Sequence, residues 1–357
     1  MTNNIGNLSK IDRALPVGSG NKKLVDTLCR PLRDLRISVT DRCNFRCVYC
    51  MPKAHFGTGH QFVSHEKLLS FEEIARTVKV FANLGVEKLR ITGGEPLIRR
   101  DIEKLISQLS PIKGIRDICM TTNGSLLTPA KANALKESGL SRITVSLDAL
   151  DDALFTSLTD VNIKLDRVLA GIENALAAGL SPVKVNMVVI KDTNESEILK
   201  LFRRFRGSPV IPRFIEFMDV GNCNGWATDK VVTATEIIEI IQSEFPLEPL
   251  APSYSGEVAS RWSHIDGSGE IGVIASVSEP FCGSCNRARL SAEGQLYTCL
   301  FSTQGHDLRA WVRAHNSDEA LAGYITGIWH HREDRYSETR GLGTRVQPKI
   351  EMSYIGG

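Results

Sequence analysis

Three cysteines stand within the segment TDRCNFRCVYCM, residues 40–51, at Cys43, Cys47 and Cys50. Thiolates this close together bind metals, and structural sites usually close with four ligands. Three leave one position open. A cubane iron–sulfur cluster is held by cysteine thiolates. An iron without a protein ligand would accept a substrate or cofactor able to chelate through nitrogen and oxygen. The alternative is half of a structural zinc site completed from a distance, but no histidine lies in the loop and the spacing is not that of a zinc finger. A second group, Cys282, Cys285 and Cys299, again supplies three thiolates. Here zinc, with His264 or His306 as a fourth ligand, and iron–sulfur are comparable readings by spacing alone. Arg287 and Arg289 follow the CxxC pair and share a face if that stretch is a strand. Two guanidiniums beside an open metal site would draw an anion, phosphate above all.

The elements that must hold these groups alternate in type. Strand-like segments LRISV (35–39), EKLRIT (87–92), IRDICMT (115–121), RITVSL (142–147), VKVNMVV (183–189) and PRFIEFM (212–218) are separated by helical patterns. Helices are expected over 71–81, near 101–109, 129–138 and 164–178, and near 195–206. Thr128 and Pro129 give the third its N-cap and first-turn residues. Such alternation implies a parallel sheet covered by helices. Six β–α steps are too few for a complete eight-fold barrel, so the expectation is an α/β fold with a partial (β/α)6 TIM-like barrel. A doubly wound sheet is the competitor. The expected organisation is a flexible lead-in over 1–30, the barrel over 31–220, a smaller α+β region over 221–340 and a tail over 341–357. The first cysteine group follows the first strand, where α/β folds gather their chemistry. RITGGEPLIRRD (90–101) follows the second. There Gly93 and Gly94 allow close backbone approach, Glu95 supplies a carboxylate and Pro96 fixes the turn.

The 357 residues carry a formal charge of only +2, with 42% hydrophobic and 24% charged residues. No global field points to nucleic acid or membrane. No apolar run approaches a membrane span, and the polar N-terminus has no signal-peptide core, so the cytoplasm is the default address. Nine cysteines, an odd number, argue against a disulfide framework. Cys119 reads as a core residue of the third strand, while Cys29 and Cys223 belong to no motif. His330 and His331 read as a solvated helix face.

The CxxxCxxC loop, with Tyr49 inside its last gap, resembles the signature of radical S-adenosylmethionine (SAM) enzymes. GGEP one β–α unit later resembles the segment that holds the SAM ammonium. With TTNG (121–124), VSLDA (145–149), FIEFMDVGN (214–222), the Cys282–Cys299 segment and the terminal Gly356-Gly357, nearly the whole chain from about Arg33 resembles the molybdenum cofactor biosynthesis protein A family.

The resemblance implies a lyase-type enzyme with two [4Fe-4S] clusters, each with an open iron. One would be held by Cys43, Cys47 and Cys50 and bind SAM, and the other by Cys282, Cys285 and Cys299 and bind the guanine of GTP. A 5'-deoxyadenosyl radical would take hydrogen from ribose C3', and the carbon radical would attack guanine C8. The product would be (8S)-3',8-cyclo-7,8-dihydroguanosine 5'-triphosphate. By resemblance, Tyr49, Gly93, Gly94, Glu95, Ser146 and Met218 contact SAM. Arg36, Lys88, Arg90, Thr121, Lys184, Arg213, Arg287 and Arg289 contact GTP. The Gly356-Gly357 tail reaches the active site. The implied partners are GTP, an external one-electron donor and a downstream cyclic pyranopterin monophosphate synthase. Nucleic acid and membrane are excluded, and a homodimer is allowed. The rivals are a peptide or protein maturase of the radical SAM class, and a zinc-dependent structural or nucleic-acid-binding protein.

Overall fold

In the computed structural model, residues 24–314, 317–340 and 348–356 are described. Of the site residues named above, Gly357 lies outside them, as do residues 1–23 and 341–347 of the expected lead-in and tail.

The first half of the chain alternates as the sequence pattern requires. β1 (Asp34–Ser38) leads through α1 (Phe71–Asn83) to β2 (Lys88–Thr92), then α2 (Ile102–Leu109), β3 (Asp117–Thr122), α3 (Pro129–Glu137) and β4 (Arg142–Ser146). Two helices, α4 (Asp152–Thr159) and α5 (Leu165–Ala177), precede β5 (Val183–Val189). The sequence reading has no helix at α4. After α6 (Glu197–Phe205) comes β6 (Val210–Glu216). Local chemistry fixes the starts of several helices. Ser70 and Glu73 form a reciprocal capping box on α1. Thr128 accepts from the Lys131 amide with Pro129 in the first turn of α3.

The rest of the chain adds α7 (Ala234–Gln242), β7 (Leu247–Leu250), β8 (Ser260–His264), β9 (Glu270–Ile274), β10 (Arg287–Leu290), β11 (Gln295–Tyr297) and β12 (His306–Asp307). It ends in α8 (Leu308–Arg313), α9 (Asp318–His330) and the short α10 (Met352–Ile355). These strands join the sheet of the first half. The 12-stranded order is β12-β11-β10-β1-β2-β3-β4-β5-β6-β9-β8-β7. Every pairing from β10 through β1 and β6 to β9 is parallel, and the flanking pairs are antiparallel. The β–α series therefore gains a parallel neighbour on each edge, and both come from downstream sequence.

The two faces of the sheet differ. In β5, Val183, Val185, Met187 and Val189 are buried, while Lys184, Asn186 and Val188 between them are only partly buried. Buried apolar residues such as Leu35, Ile37, Leu89 and Ile91 pack in one core with Val78 and Phe81 of α1. Burying one such phenylalanine contributes roughly 1.5–3 kcal/mol. The alternate residues line a cavity rich in cations. A doubly wound sheet would cover both faces with helices, so the partial barrel is the architecture.

Residues 24–30, placed with the flexible lead-in above, are part of the fold. Leu24, Asp26 and Arg30 are buried, and Val25 bridges Pro31. Cys119 is buried, but its register places it between Arg90 and Arg142, in line with the inward-facing cations. His330 and His331 are exposed at the end of α9.

Candidate active site

A cavity of about 540 Å³ occupies the barrel interior, within the size range of small-molecule sites. Its walls include Cys43, Cys47 and Cys50 as well as Cys282, Cys285 and Cys299. One space therefore reaches both cysteine groups.

The first group sits on a loop leaving β1. Arg46 organises it, donating from Nη1 to the carbonyls of Cys43 (2.7 Å) and Phe45 (2.7 Å) and from Nε to that of Phe56 (3.0 Å). The amides of Arg46 and Val48 donate to Thr159 and Leu158 of α4, and Phe45 meets Phe155 edge to face at 6.0 Å. The helix that the sequence reading lacked is thus the floor of the cysteine loop. The Phe45 amide donates to Cys43 Sγ at 3.3 Å. Burial pushes the Cys43 thiol up to about 12 and holds Cys47 and Cys50 above the usual thiol range. Such thiols ionise only beside a strong positive charge, which bound iron supplies.

The GGEP turn is tied to this loop. The Gly94 amide donates to Thr40 O and the Glu95 amide to Arg42 O, both at 2.8 Å. Gly93 has φ +146°, and a Cβ there would lie 2.4 Å from Thr40 O; one on Gly94 would lie 2.3 Å from Arg42 O. The backbone that approaches these glycines is the chain's own lead into the cysteine loop. Glu95 is a brace. It accepts from Thr122 Oγ1 (2.6 Å) and from the amides of Asn123 (2.7 Å) and Leu97 (3.0 Å). Burial raises its carboxyl to about 7. Tyr49 donates its hydroxyl to Asp148 at 2.7 Å, and Asp148 also accepts from the Val188 amide. Ser146 and Met218 line the same cavity.

The second group flanks β10. Cys285 Sγ accepts from Arg287 Nη2 at 3.3 Å and from Arg332 Nη2 at 3.2 Å. Burial opposes ionisation there, but Arg287 and Arg332 bring the thiol down to about 6. Cys299 Sγ accepts from the Phe301 amide at 3.4 Å, while burial and then Asp334 push it up to about 12. Hydrogen-bond donors aimed at sulfur suit thiolate ligands. Neither histidine offered above as a zinc ligand lines the cavity. His264 stacks on Phe202 of α6 at 4.6 Å, and His306 pairs with Leu296 on the outer strand β12. Among the described residues, no three His, Cys, Asp or Glu side chains are grouped to hold a single metal ion.

Between the cysteine groups lies a cationic belt. Arg289, Arg36 and Arg90 are register neighbours on β10, β1 and β2; Arg287, Asp34 and Lys88 form the next row. Thr121 and Lys184 align through Thr144, and Asn186 aligns with Arg213. Lys88 pairs with Asp34 at 3.4 Å, Arg90 donates to Thr121 at 2.9 Å and Arg213 to Asn186 at 2.9 Å. Among the described residues, the buried Nε atoms of Arg36 and Arg90 have no hydrogen-bond partner. Burial, followed by repulsion from Arg289, Arg90 and Arg287, lowers the Arg36 pKa well below its ordinary value. Burial likewise brings Arg213 to about 9 and Lys184 to about 8. Like charges about 5 Å apart repel by roughly 3 kcal/mol at an effective dielectric of 20. A polyanion would relieve that.

The tail also arrives here. Gly356 is buried, and its carbonyl accepts from Arg289 Nη1. Sequence reasoning missed Arg46, Asp148, Arg332, and Asp219 and Asn222, which hold Lys349 of the tail. Arg46 lies inside the CxxxCxxC loop, Asp148 inside VSLDA, and Asp219 and Asn222 inside FIEFMDVGN, so those four had a signal in the motifs themselves.

Residues 37–205 match the Radical SAM superfamily, and residues 211–338 match the family described as Molybdenum Cofactor Synthesis C. A GTP 3',8-cyclase of Acidothermus cellulolyticus is 49% identical, with 93% of this chain and 98% of that protein covered. The chain belongs to the GTP 3',8-cyclase family. A second member, from Staphylococcus saprophyticus, is 48% identical over 94% of this chain and 99% of its own. Among solved structures, Streptococcus suis SuiB bound to S-adenosylmethionine superposes with a TM-score of 0.58 at 17% identity, covering 83% of this chain and 68% of that one. That likeness is one of fold. Membership of the GTP 3',8-cyclase family displaces both rivals, the maturase and the zinc-dependent protein. Among the described residues no helix is long and apolar enough to cross a membrane.

Proposed function

We propose that the chain is a radical SAM enzyme that converts GTP to (8S)-3',8-cyclo-7,8-dihydroguanosine 5'-triphosphate, the first step of molybdenum cofactor biosynthesis. The observation that carries this reading is the single cavity with three cysteines toward each of two ends and a cationic belt between. Cys43, Cys47 and Cys50 hold one [4Fe-4S] cluster, with SAM beside Tyr49, Gly93, Gly94, Glu95, Ser146 and Met218. Cys282, Cys285 and Cys299 hold the second. When bound, the first cluster and SAM supply the radical that removes hydrogen from ribose C3' of GTP.

The chain's own residues bind and orient. Arg36, Lys88, Arg90, Thr121, Lys184, Arg213, Arg287 and Arg289 receive the nucleotide. The orphaned guanidinium nitrogens and repelling cations described above are what a triphosphate would satisfy. Tyr49, locked by Asp148, walls the first cysteine loop. Held between the two cysteine groups, GTP presents C3' and C8 in one fixed geometry, which is the chief contribution a protein makes to such a step. Gly356 completes the site beside Arg289. The reading also requires an external one-electron donor, and the synthase that makes cyclic pyranopterin monophosphate would consume the product.

The decisive experiment measures iron, acid-labile sulfide and zinc per chain in anaerobically prepared protein, followed by GTP turnover. About eight iron and eight sulfide, with cyclised product, are expected for two cubanes. About four of each, with zinc at the C-terminal cysteines, would keep the SAM site and overturn the second cluster. Cys47→Ala is expected to abolish SAM cleavage. Arg287→Ala is expected to weaken GTP binding while leaving uncoupled SAM cleavage.

A further inference from the structure

We infer that Arg332, clamped by Asp26 and seconded by Arg30, is the positioning residue that sets the three cysteines of the second site and donates a hydrogen bond to the Cys285 sulfur. The inference rests on the two-cluster reading above.

Arg30, Asp26 and Arg332 are 2%, 5% and 3% exposed. Their contacts converge on the cysteine segments. Arg30 Nη1 donates to the Cys282 carbonyl at 2.9 Å and to the Asp334 carbonyl at 2.7 Å. Arg332 Nη1 donates to the Cys285 carbonyl at 2.8 Å, and its Nε donates to the carbonyl of Thr298, the residue before Cys299, at 3.0 Å. Arg332 Nη2 reaches Cys285 Sγ at 3.2 Å. Asp26 Oδ2 accepts from both guanidiniums, at 2.6 Å from Arg30 Nε and 3.1 Å from Arg332 Nη1. Its Oδ1 accepts the amides of Leu28 (3.0 Å) and Arg30 (2.9 Å). Trp329 closes the assembly: its indole donates to the Arg30 carbonyl at 3.1 Å, and the Arg332 guanidinium lies 4.6 Å from its ring centre.

Each of the three cysteines is thus gripped at its own or its neighbour's carbonyl by one of two buried guanidiniums. Only a planar fork can serve Thr298, the Cys285 carbonyl and the Cys285 sulfur at once. Outer groups that orient ligands and donate to a ligating sulfur control both metal retention and reduction potential. A purely architectural ion pair would have no reason to end on a ligand sulfur.

The test uses the full-length protein, reconstituted anaerobically, as wild type, Arg332→Gln and Arg332→Lys. The readouts are iron and sulfide per chain, the EPR spectrum of the reduced clusters and the midpoint potential of each. Wild type must first show about eight iron; about four would overturn the second cluster itself, and this inference with it. With eight in wild type, Arg332→Gln is expected to lose the second cluster alone, keeping the EPR signal of the first and its SAM-induced change. Arg332→Lys is expected to lose that cluster too or to hold it at a more negative potential. An unchanged potential and spectrum in Arg332→Lys overturns the inference. So does equal loss of both clusters in both variants, which would reveal a role in folding only.

Discussion

Arg289, on β10, donates from Nη1 to the main-chain carbonyl of Gly356, 67 residues further along the chain. The contact joins the cationic belt to the end of the tail. Gly356 fits because it is a glycine: its φ is +75°, and a Cβ would lie 2.3 Å from Thr92 Cγ2 and 3.0 Å from Ser38 Oγ. Side chains rarely adopt that backbone conformation. Gly356→Ala should therefore push the tail off the ends of β1 and β2 and release Arg289. Turnover is expected to fall about 100-fold, the scale of a small misplacement near reacting atoms. Iron content and melting temperature should stay at wild-type values. Product formation under single-turnover conditions, read beside iron per chain, checks this; a wild-type rate would refute it.

A second clasp holds the tail upstream. The Asn222 amide donates to Glu351 Oε1 at 2.9 Å, and the Asn222 side chain both donates to the Lys349 carbonyl (2.5 Å) and accepts from the Lys349 amide (2.9 Å). Asp219 accepts from Lys349 Nζ at 2.6 Å. Asn222→Ala removes the paired side-chain bonds, each worth about 1 kcal/mol. Amide exchange over 349–356 should speed up by at least about tenfold, since this segment opens locally without global unfolding. Turnover should fall with GTP affinity unchanged. Hydrogen-exchange mass spectrometry gives the answer, and unaltered protection of the tail would dispose of the clasp.

The parallel strands and both cysteine groups were legible because their signals are local: period-two apolar runs, helical periodicity and thiol spacings of a few residues. What escaped was set by distance along the chain. Arg332 meets Asp26 across 306 residues, and nothing around either marks the pairing. β9 and β10 flank the β1–β6 series on opposite sides, an order that no periodicity encodes. Asp26 and Arg30 fell in a stretch dismissed for its polarity. α4 had a signal that went unused: Asp151 caps it by accepting from the Leu154 amide at 2.8 Å. Glu95 shows the converse. Its place in GGEP marks it as a carboxylate beside the cysteine loop, but its three hydrogen bonds within the chain depend on β3 lying beside β2.

Arg46 supports the first cysteine loop by satisfying the carbonyls of Cys43, Phe45 and Phe56. Arg46→Met keeps the stem and removes the donors. Hydrogen bonds from a charged group contribute about 1.5–3 kcal/mol each when well buried; at this half-buried position a total loss of about 2 kcal/mol is expected. The more specific consequence is local: the first site should lose iron while the second keeps it. Cluster-resolved EPR with a melting curve separates this from global damage. Retention of both clusters at unchanged stability would show that α4 alone supports the loop.

The cationic belt makes GTP binding depend on pH in a defined direction. Burial, then Arg213 and Arg142, lowers Lys184 to about 8. Below that pH the free enzyme carries the charged amine; above it, Lys184 is neutral. Triphosphate favours the charged form, so its pKa rises on binding. Between the free and bound values, binding takes up a proton and affinity falls by up to about tenfold per pH unit. Arg213, at about 9, extends the loss upward. Affinity should thus be flat from pH 7 to near 8 and decline beyond it. Lys184→Met should bind more weakly at pH 7 and lose the part of the slope nearest 8. Calorimetric titration of the SAM-free protein with GTP, in two buffers of different ionisation enthalpy, measures affinity and proton uptake together. Constant affinity from pH 7 to 9.5 with no proton uptake would mean that neither Lys184 nor Arg213 meets the phosphates.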